Sequence, residues 1–416
     1  MRRTLLVGNR AIQHAMAARL LYEGANVDVY PGQEFGGYST VDAAIIEQRS
    51  YDIVVAGSAR YFNDPVVIDV IRRGARLFGA TPETGCLETS KMSFKQYATR
   101  WGIKVPAGHV FYNYDTACSY IEQSLSPYVI KADGPARGCG VSICYTVDEA
   151  KKDLHLKLRD KSSLFFSGCV VIEEFIPGPE IAVNIIFDDH GYLVFPPTRP
   201  HKRRNVGDTG PNVAGMGSFT PLPINDRFFR ELEKSVIHPT LEGICREGWH
   251  FRGCIFANFI LTEDEIVTLE FNCRFGDPAM LVNLLQLKSS FDELLAVTTE
   301  GRLTTYVPKY RDGVAVAVTL IDPAYPDSHL TLDTVSIPQN ELVYSGKSDG
   351  LLIAGTSQEV NGVWRVNSGV VASSVAIAKD FNSARGEAYR RAAACSNLFY
   401  RSDIGLKIEI PDRFRA

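Results

Sequence analysis

The stretch L-E-F-N-C-R-F-G-D-P, residues 269–278, decides how the rest of the chain is read. It reads as an extended strand, on which residues i and i+2 face the same way. Glu270 and Asn272 therefore point together, and Arg274 adds a cation to that face. Two hard oxygen donors side by side suit Mg²⁺, which keeps part of its water shell and bridges protein carboxylates to nucleotide phosphates. The apolar flanks and the G-D-P turn that follows argue against a plain solvated edge strand.

Three segments upstream fit a strand of that kind. In V-I-K-A-D-G-P-A-R-G-C-G-V, residues 129–141, a strand delivers Lys131 into a loop carrying Gly134, Gly138 and Gly140. Glycines let backbone N–H groups converge on phosphate oxygens, and a nearby cation neutralises the charge. A glycine-rich hairpin tip would look the same in isolation. V-V-I-E-E-F-I-P-G-P-E, residues 170–180, reads as a strand running into a hinge with carboxylates at Glu173 and Glu180. Such a hinge can pair with an adenine edge, although solvated strand ends would have the same composition. R-P-H-K-R-R-N-V-G-D-T-G-P-N-V-A-G-M-G, residues 199–217, places basic side chains before a loop rich in Gly, Asp, Thr and Asn, suited to an anionic substrate near the metal.

The N-terminal hundred residues have a different rhythm. Apolar runs at 3–8, 27–30, 53–56 and 76–78 alternate with helical spacing at 11–23, 41–48 and 65–74. That alternation predicts a doubly wound parallel sheet. The turn V-G-N-R lacks the G-x-G-x-x-G of a dinucleotide site. A helix over 90–101 and I-K-V-P-A lead into the next unit, and strand-like runs dominate after Asp312 before a closing helix near 382–396.

Composition bounds the class. The 416 residues carry 44 Lys plus Arg against 48 Asp plus Glu, a formal net charge of −4, with 45% hydrophobic residues. These are values of a folded chain of several domains, without the basic face of a general nucleic-acid or membrane-surface binder. No run approaches the roughly 18 apolar residues needed to span a bilayer. The M-R-R-T-L-L-V-G start is too short for a signal-peptide core. Nine scattered cysteines without C-x-x-C fit reduced thiols, and a cytoplasmic location is expected.

Phosphate loop, adenine hinge, basic substrate loop and metal strand occur in the order found in ATP-grasp enzymes. More closely, the chain resembles the glycinamide ribonucleotide synthetase (phosphoribosylamine–glycine ligase) family. The matching segments are F-G-A-T (78–81), T-S-K (89–91), K-A-D-G (131–134), I-E-E-F (172–175), H-K-R (201–203), G-D-T-G-P-N (207–212), G-M-G (215–217), E-F-N-C-R-F-G-D-P (270–278) and Y-R-S-D-I-G (400–405).

The resemblance implies an α/β ATP-grasp fold with four units. These are an N-terminal parallel-sheet domain (1–111), a small lobe (112–187), a large lobe (188–311) and a strand-rich α+β C-terminal domain (312–416). It implies an ATP-dependent carboxylate–amine ligase working through an acyl phosphate, with ATP and Mg²⁺ or Mn²⁺ as cofactors. The partners would be an amino-acid carboxylate and an amine, with no nucleic acid or membrane, and the protein a monomer or homodimer. Lys91, Lys131, Gly138 and Gly140 would contact phosphates, with Arg137 helping at the phosphate loop. Glu173 and Glu180 would hold adenine and ribose, with the Glu174 and Ile176 backbone as hinge. Glu270 and Asn272 would bind the metal. Lys202, Asp208, Thr209, Gly210, Pro211, Asn212 and Arg274 would hold the carboxylate substrate, with Arg274, Lys131 and Arg137 acting in catalysis.

The chain also departs from the family pattern. G-x-G-G-R-E-H-A becomes G-N-R-A-I-Q-H-A (8–15), and G-P-E becomes G-S-A (57–59). A-G-K-G becomes R-G-C-G (137–140), so that Cys139 replaces a lysine. Y-A-G-L-M becomes F-A-N-F-I, with Asn258 where glycine is usual, G-D-P-E becomes G-D-P-A at Ala279, and G-G-Y-P becomes P-A-Y-P (323–326). Because these changes gather in substrate-facing turns, the expectation is a paralogue with altered substrates. The alternatives are the purine-biosynthetic ligase itself and a catalytically weak nucleotide-binding regulator.

Overall fold

The computed structural model describes residues 1–31, 39–58, 61–134, 140–327, 329–343, 349–354, 357–360, 363–407 and 409–416. The alternation of the first eighty residues forms the expected parallel sheet. Its strands lie in the order Ser39–Thr40, Asn26–Tyr30, Arg3–Val7, Ile53–Ala56 and Arg76–Phe78. The first strand pairs in parallel with Asn26–Tyr30 on one side and Ile53–Ala56 on the other. Leu5, Leu6, Val7, Ile53 and Val54 are fully or almost fully buried, as a central strand pair covered on both faces requires. Helix Ala11–Tyr22 follows the first strand, and Asp64 caps Pro65–Arg72 by accepting from the Val66 and Val67 amides.

The second sheet is antiparallel, in the order Gly108–Phe111, Val170–Glu174, Tyr128–Ala132 and Val141–Cys144. Helices Tyr114–Gln123 and Val147–Leu158 supply Ala117, Ile121, Ala150 and Leu154 to its apolar face. The third sheet runs Tyr192–Val194, Glu180–Phe187, Gly253–Leu261, Ile266–Asn272. Strand Glu180–Phe187, grouped with the small lobe on sequence grounds, pairs along its whole length with Gly253–Leu261. The chain therefore changes sheets in the hinge 175–179 rather than at 187, and the second sheet begins at 108 rather than 112.

The C-terminal strands Val314–Ile321, Val370–Ala378 and Gly350–Ile353 form one antiparallel sheet with Gly217–Thr220 and Arg199–Pro200. Two strands from before residue 311 thus belong to it. Helix Phe381–Ala393 packs on that sheet through Ala384, Ala388 and Ala392. The largest apolar cluster joins Phe94, Val183, Phe259, Val318 and Phe414, so the units share a continuous core.

Candidate active site

A cleft of about 780 Å³ runs along the floor of the third sheet. It extends from the turns after the first and fourth strands, at Gly8–Arg10 and Gly57–Ser58, to the hinge at Glu173–Ile176. Lys91, Lys131, Gly140, Glu180, Lys202, Asp208, Asn212, Glu270, Asn272 and Arg274 all line it. Thr209, Gly210 and Pro211 instead lie exposed on the hairpin formed by Arg203–Asn205 and Thr209–Asn212. Arg137 and Gly138 fall outside the described residues.

Alternation along Ile266–Asn272 puts Glu270 and Asn272 on the cleft side, as expected, with Phe271 buried behind them. Glu270 is gripped by two cations, Lys91 Nζ at 2.9 Å from Oε2 and Lys202 Nζ at 3.2 Å from Oε1. Burial alone would raise the Glu270 pKa, yet Lys91, Lys202 and the more distant Lys131 hold it well below the ordinary carboxylate range. Lys202 also reaches Glu180 Oε1 at 2.5 Å. Burial would lower the lysine's pKa, but the two carboxylates raise it overall, so the ammonium form is fixed.

Glu173 is held by two lysines. It is only 7% exposed, with Lys95 Nζ 2.8 Å from one oxygen and Lys131 Nζ 2.5 Å from the other. Each oxygen faces an ammonium group, so Glu173 orients Lys131. Burial opposes its ionisation, and the two lysines override it and lower its pKa. The Glu174 amide is likewise engaged, donating to Ala107 O at 2.9 Å, which removes that N–H from the hinge groups open to a base.

Arg274 is held by a carboxylate that sequence reasoning missed. Glu88 accepts from Arg274 Nε at 2.9 Å and from the Cys273 amide at 2.9 Å, while Arg274 Nη2 donates to Asn272 Oδ1 at 3.2 Å. Lys95 was missed too. Part of the signal was present: Lys91 and Lys95 stand at i and i+4 on helix Lys91–Arg100, whereas Glu88 belongs to the preceding short helix Cys86–Thr89. Ser90 caps that helix through the Ser93 amide, and Asp133, just past the Lys131 strand, accepts from Ser90 Oγ and the Met92 amide. Lys91 and Lys131 are thereby fixed relative to each other.

The hairpin is tied down from the C-terminal end. Arg401 Nη1 lies 2.7 Å from Asp208 Oδ1, and the Gly207 amide donates to Asp403. His201 is buried, and burial followed by the neighbouring Arg401 and Arg199 pushes its pKa down to about 4. The neutral ring accepts from the Gly405 amide.

At the other end of the cleft, Gly8 has φ +130° and a Cβ there would meet the Gln13 side chain. A Cβ on Gly57 would come within 2.3 Å of Val7 O. Both turns need glycine for this approach. Gln13, 1% exposed, lies between them; its Oε1 accepts from the Arg10 amide, and its Nε2 has no partner among the described residues. Arg10 Nε is 3.6 Å from Asp277 Oδ2. Ala279 is 1% exposed and packs with Ala182 and Phe256, an apolar contact where a carboxylate was the family expectation.

Among the described residues no cluster of three His, Cys, Asp or Glu stands ready for a metal. A cation here would be held by the Glu270 carboxylate, the Asn272 amide oxygen and oxygens of a bound phosphate, the oxygen-rich set that suits Mg²⁺. The residues present fit that group. No described helix is long and apolar enough to cross a membrane.

Residues 89–280 match the family model of the phosphoribosylglycinamide synthetase ATP-grasp (A) domain. A phosphoribosylamine–glycine ligase of Caulobacter vibrioides is 30% identical over 419 residues, covering 96% of this chain and 97% of that protein. The trifunctional purine biosynthetic protein adenosine-3 of Gallus gallus is 32% identical over 97% of this chain, which spans only 42% of that longer protein. A solved phosphoribosylamine–glycine ligase from Thermotoga maritima superposes with a TM-score of 0.83 at 26% identity, covering 97% of this chain and all of that one. A biotin carboxylase domain from Hydrogenobacter thermophilus shares the fold, with a TM-score of 0.69 at 14% identity. These likenesses carry the ligase reading and lend nothing to the expectation of changed substrates.

Proposed function

The chain belongs to the phosphoribosylamine–glycine ligase family of ATP-grasp C–N ligases, and from that premise we propose that it joins glycine to phosphoribosylamine at the expense of ATP. The observation that carries the chemistry is the charge arrangement of the cleft floor. Four ammonium groups, Lys91, Lys95, Lys131 and Lys202, surround three carboxylates, Glu173, Glu180 and Glu270, leaving one cation in excess beside the Arg274–Glu88 pair. A polyanion entering this space meets cations already oriented, which is the demand of phosphoryl transfer.

The adenine would lie in the apolar slot lined by Val129, Ile143, Ile260 and Leu269 beside the hinge. Lys91, Lys131 and Lys202 would hold the phosphates. Glu270 and Asn272 would hold a divalent cation, which supplies further charge neutralisation at the transferring group. Arg274, rigidly held by Glu88, would orient the glycine carboxylate. A carboxylate oxygen attacks the γ-phosphorus, the bond to the β-phosphate oxygen breaks, and ADP leaves an acyl phosphate. The amine nitrogen then attacks the acyl carbon, loses a proton and expels phosphate as the amide forms. Glu88 and Glu173 act one step back, holding Arg274 and Lys131 in place.

A second reading, an amine other than phosphoribosylamine, is favoured by the far end of the cleft. There Arg10 faces Asp277, and Gln13 stands where the family pattern has glutamate. One assay separates the readings: freshly generated phosphoribosylamine, glycine, ATP and Mg²⁺ are supplied and ADP release is followed. Saturable turnover supports the purine reaction. A kcat/KM at least about a hundredfold below that with another amine, some 2.7 kcal/mol, supports the second reading instead. No amine-dependent ADP release with any pair would leave a nucleotide-binding protein without ligase activity.

A further inference from the structure

Three asparagines with fully buried side chains lie in or against the third sheet, and two of them are satisfied within the protein. Asn184 Nδ2 donates to Asn283 Oδ1 at 2.8 Å, Asn184 Oδ1 accepts from the Gly276 amide at 3.0 Å, and Asn283 Nδ2 donates to Pro196 O at 3.0 Å. Asn258 is the exception. It is 0% exposed, and neither its Oδ1 nor its Nδ2 has a hydrogen-bond partner among the described residues. An unpaired buried amide is costly, on the order of 1–3 kcal/mol, so its presence on a central strand asks for a ligand.

The position of Asn258 says which ligand. On Gly253–Leu261 it sits directly opposite Glu270, and Phe256 sits opposite Asn272. Directly opposed residues of an antiparallel pair share a face, with Cβ atoms about 5 Å apart. The ladder is shifted by a bulge immediately beyond this pair, where Phe259 meets Thr268 and Leu269 is the extra residue. Bulges re-aim side chains next to sites. Asn258, Glu270 and Asn272 all line the cleft, so three oxygen-bearing side chains of two adjacent strands face one space. No carboxylate among the described residues accepts from the amide; Glu180 and Glu270 pair instead with Lys202 and Lys91.

We propose that Asn258 is a third protein ligand of the divalent cation held by Glu270 and Asn272, its Oδ1 completing a set of three oxygens and its Nδ2 donating to an oxygen of the same nucleotide's phosphates. The inference rests on the metal assignment of the Glu270 strand made above. A cation needing six oxygens then takes three from the protein and the rest from phosphate and water. The amide adds an oxygen donor without adding charge to a floor that already carries three carboxylates.

The test is Mn²⁺ binding to the full chain saturated with ADP, read by electron paramagnetic resonance of free Mn²⁺. ADP affinity in EDTA and thermal melting are measured alongside. Asn258→Ala is expected to weaken Mn²⁺ at least about tenfold while ADP affinity in EDTA stays within about threefold of the parent. Asn258→Asp is expected to bind Mn²⁺ at least as tightly as the parent, and it keeps the test open if the alanine variant does not fold. Parental Mn²⁺ affinity in Asn258→Ala, with Glu270→Ala strongly weakened, would overturn the proposal and leave the metal strand standing. Undiminished affinity in Glu270→Ala would instead remove the metal assignment beneath it. An equal loss of ADP affinity in EDTA would make Asn258 a nucleotide contact only, which also overturns it.

Discussion

The two ends of the cleft are built on opposite principles. At the nucleotide end, Lys91, Lys95, Lys131 and Lys202 interlock with Glu173, Glu180 and Glu270, and almost every charged atom is spoken for before any ligand arrives. At the N-terminal end, the turns of Gly8 and Gly57 close on a neutral amide, Gln13, with one loose ion pair from Arg10 to Asp277. A network of fixed charges is hard to alter piecemeal, because removing one member strands its buried partner. A turn held by backbone approach and one amide changes its recognition with single substitutions. Departures from the family pattern occur at the loosely charged end, in the phosphate loop, at Asn258 and Ala279 and over 323–326, while the interlocked lysines and carboxylates of the floor are kept.

The largest expected effect attacks the charged end. Glu270→Ala should lower turnover by at least about a thousandfold, some 4 kcal/mol, since it removes the charged metal ligand and leaves Lys91 and Lys202 facing each other. Thermal melting of the variant should still show a cooperative transition. An active variant in millimolar Mg²⁺ would break the contrast, because the floor would then be dispensable.

Acid distinguishes the ends by a different route. His14, on the helix that carries Gln13, is buried between the C-terminal segments: Nδ1 accepts from the Ile353 amide at 3.0 Å, which leaves Nε2–H to donate to Val343 O at 2.9 Å. Burial, partly offset by these bonds, pushes its pKa from 6.5 down to about 4. Between those values the unfolded chain takes up a proton that the native ring refuses. The stability contributed is therefore complete above about pH 7, falls as pH drops from 6.5 towards 4, and amounts to about 2 kcal/mol lost by pH 5. Glu270, held well below the usual carboxylate range, stays ionised there. Melting temperature should fall between pH 7.5 and 5 while ADP affinity, measured below the melting range, changes little. His14→Gln should make the melting profile shallower without flattening it, because buried His201, its pKa also pushed down to about 4, adds a slope of the same sign; a parental slope in that variant would place the acid sensitivity elsewhere.

Much of this was legible in the sequence because the relevant signals are local. Alternation fixes Glu270 and Asn272 on one face, and the strand–helix rhythm of residues 3–78 gives the parallel sheet without any long-range information. The missed parts come from distant chain segments. Glu88 meets Arg274 across 186 residues, and Lys95 meets Glu173 across 78. Glu173 looked available because its sequence shows two flanking carboxylates and not the two lysines brought to it by another helix. Asn258 read only as a departure from a glycine; that its amide is buried without a partner among the described residues depends on the two strands beside its own. The sheet exchange at 175–179 was hidden because strand Glu180–Phe187 is apolar on both sides and matches either sheet by pattern.

The phosphate loop gives a smaller effect. The family lysine is Cys139 here, while Arg137 stands two residues earlier, and a guanidinium reaches farther than a thiol and stays charged. Arg137→Ala should raise the ATP KM or lower kcat by about tenfold, near 1.4 kcal/mol, with Cys139→Ala close to parental. The reverse ranking would assign the thiol a role of its own.

The smallest expected effect probes the amide that defines the N-terminal end. Gln13 Oε1 already accepts from the Arg10 amide, and Gly8 and Gly57 leave the side chain no room to swing away. Gln13→Glu is therefore expected to keep its position and that bond while exchanging a donor for a second acceptor. A carboxylate there suits ribose hydroxyls or an ammonium group, and an amide suits an acceptor on the substrate. If the chain acts on phosphoribosylamine through this turn, Gln13→Glu should change its KM by about three- to tenfold, within about 1.4 kcal/mol. The ATP KM should remain within about twofold, because no residue of the charged floor contacts the substituted atom. A matching rise in both KM values would show that the two ends are coupled, and the division between a rigid charged floor and an adjustable neutral turn would fail at that point.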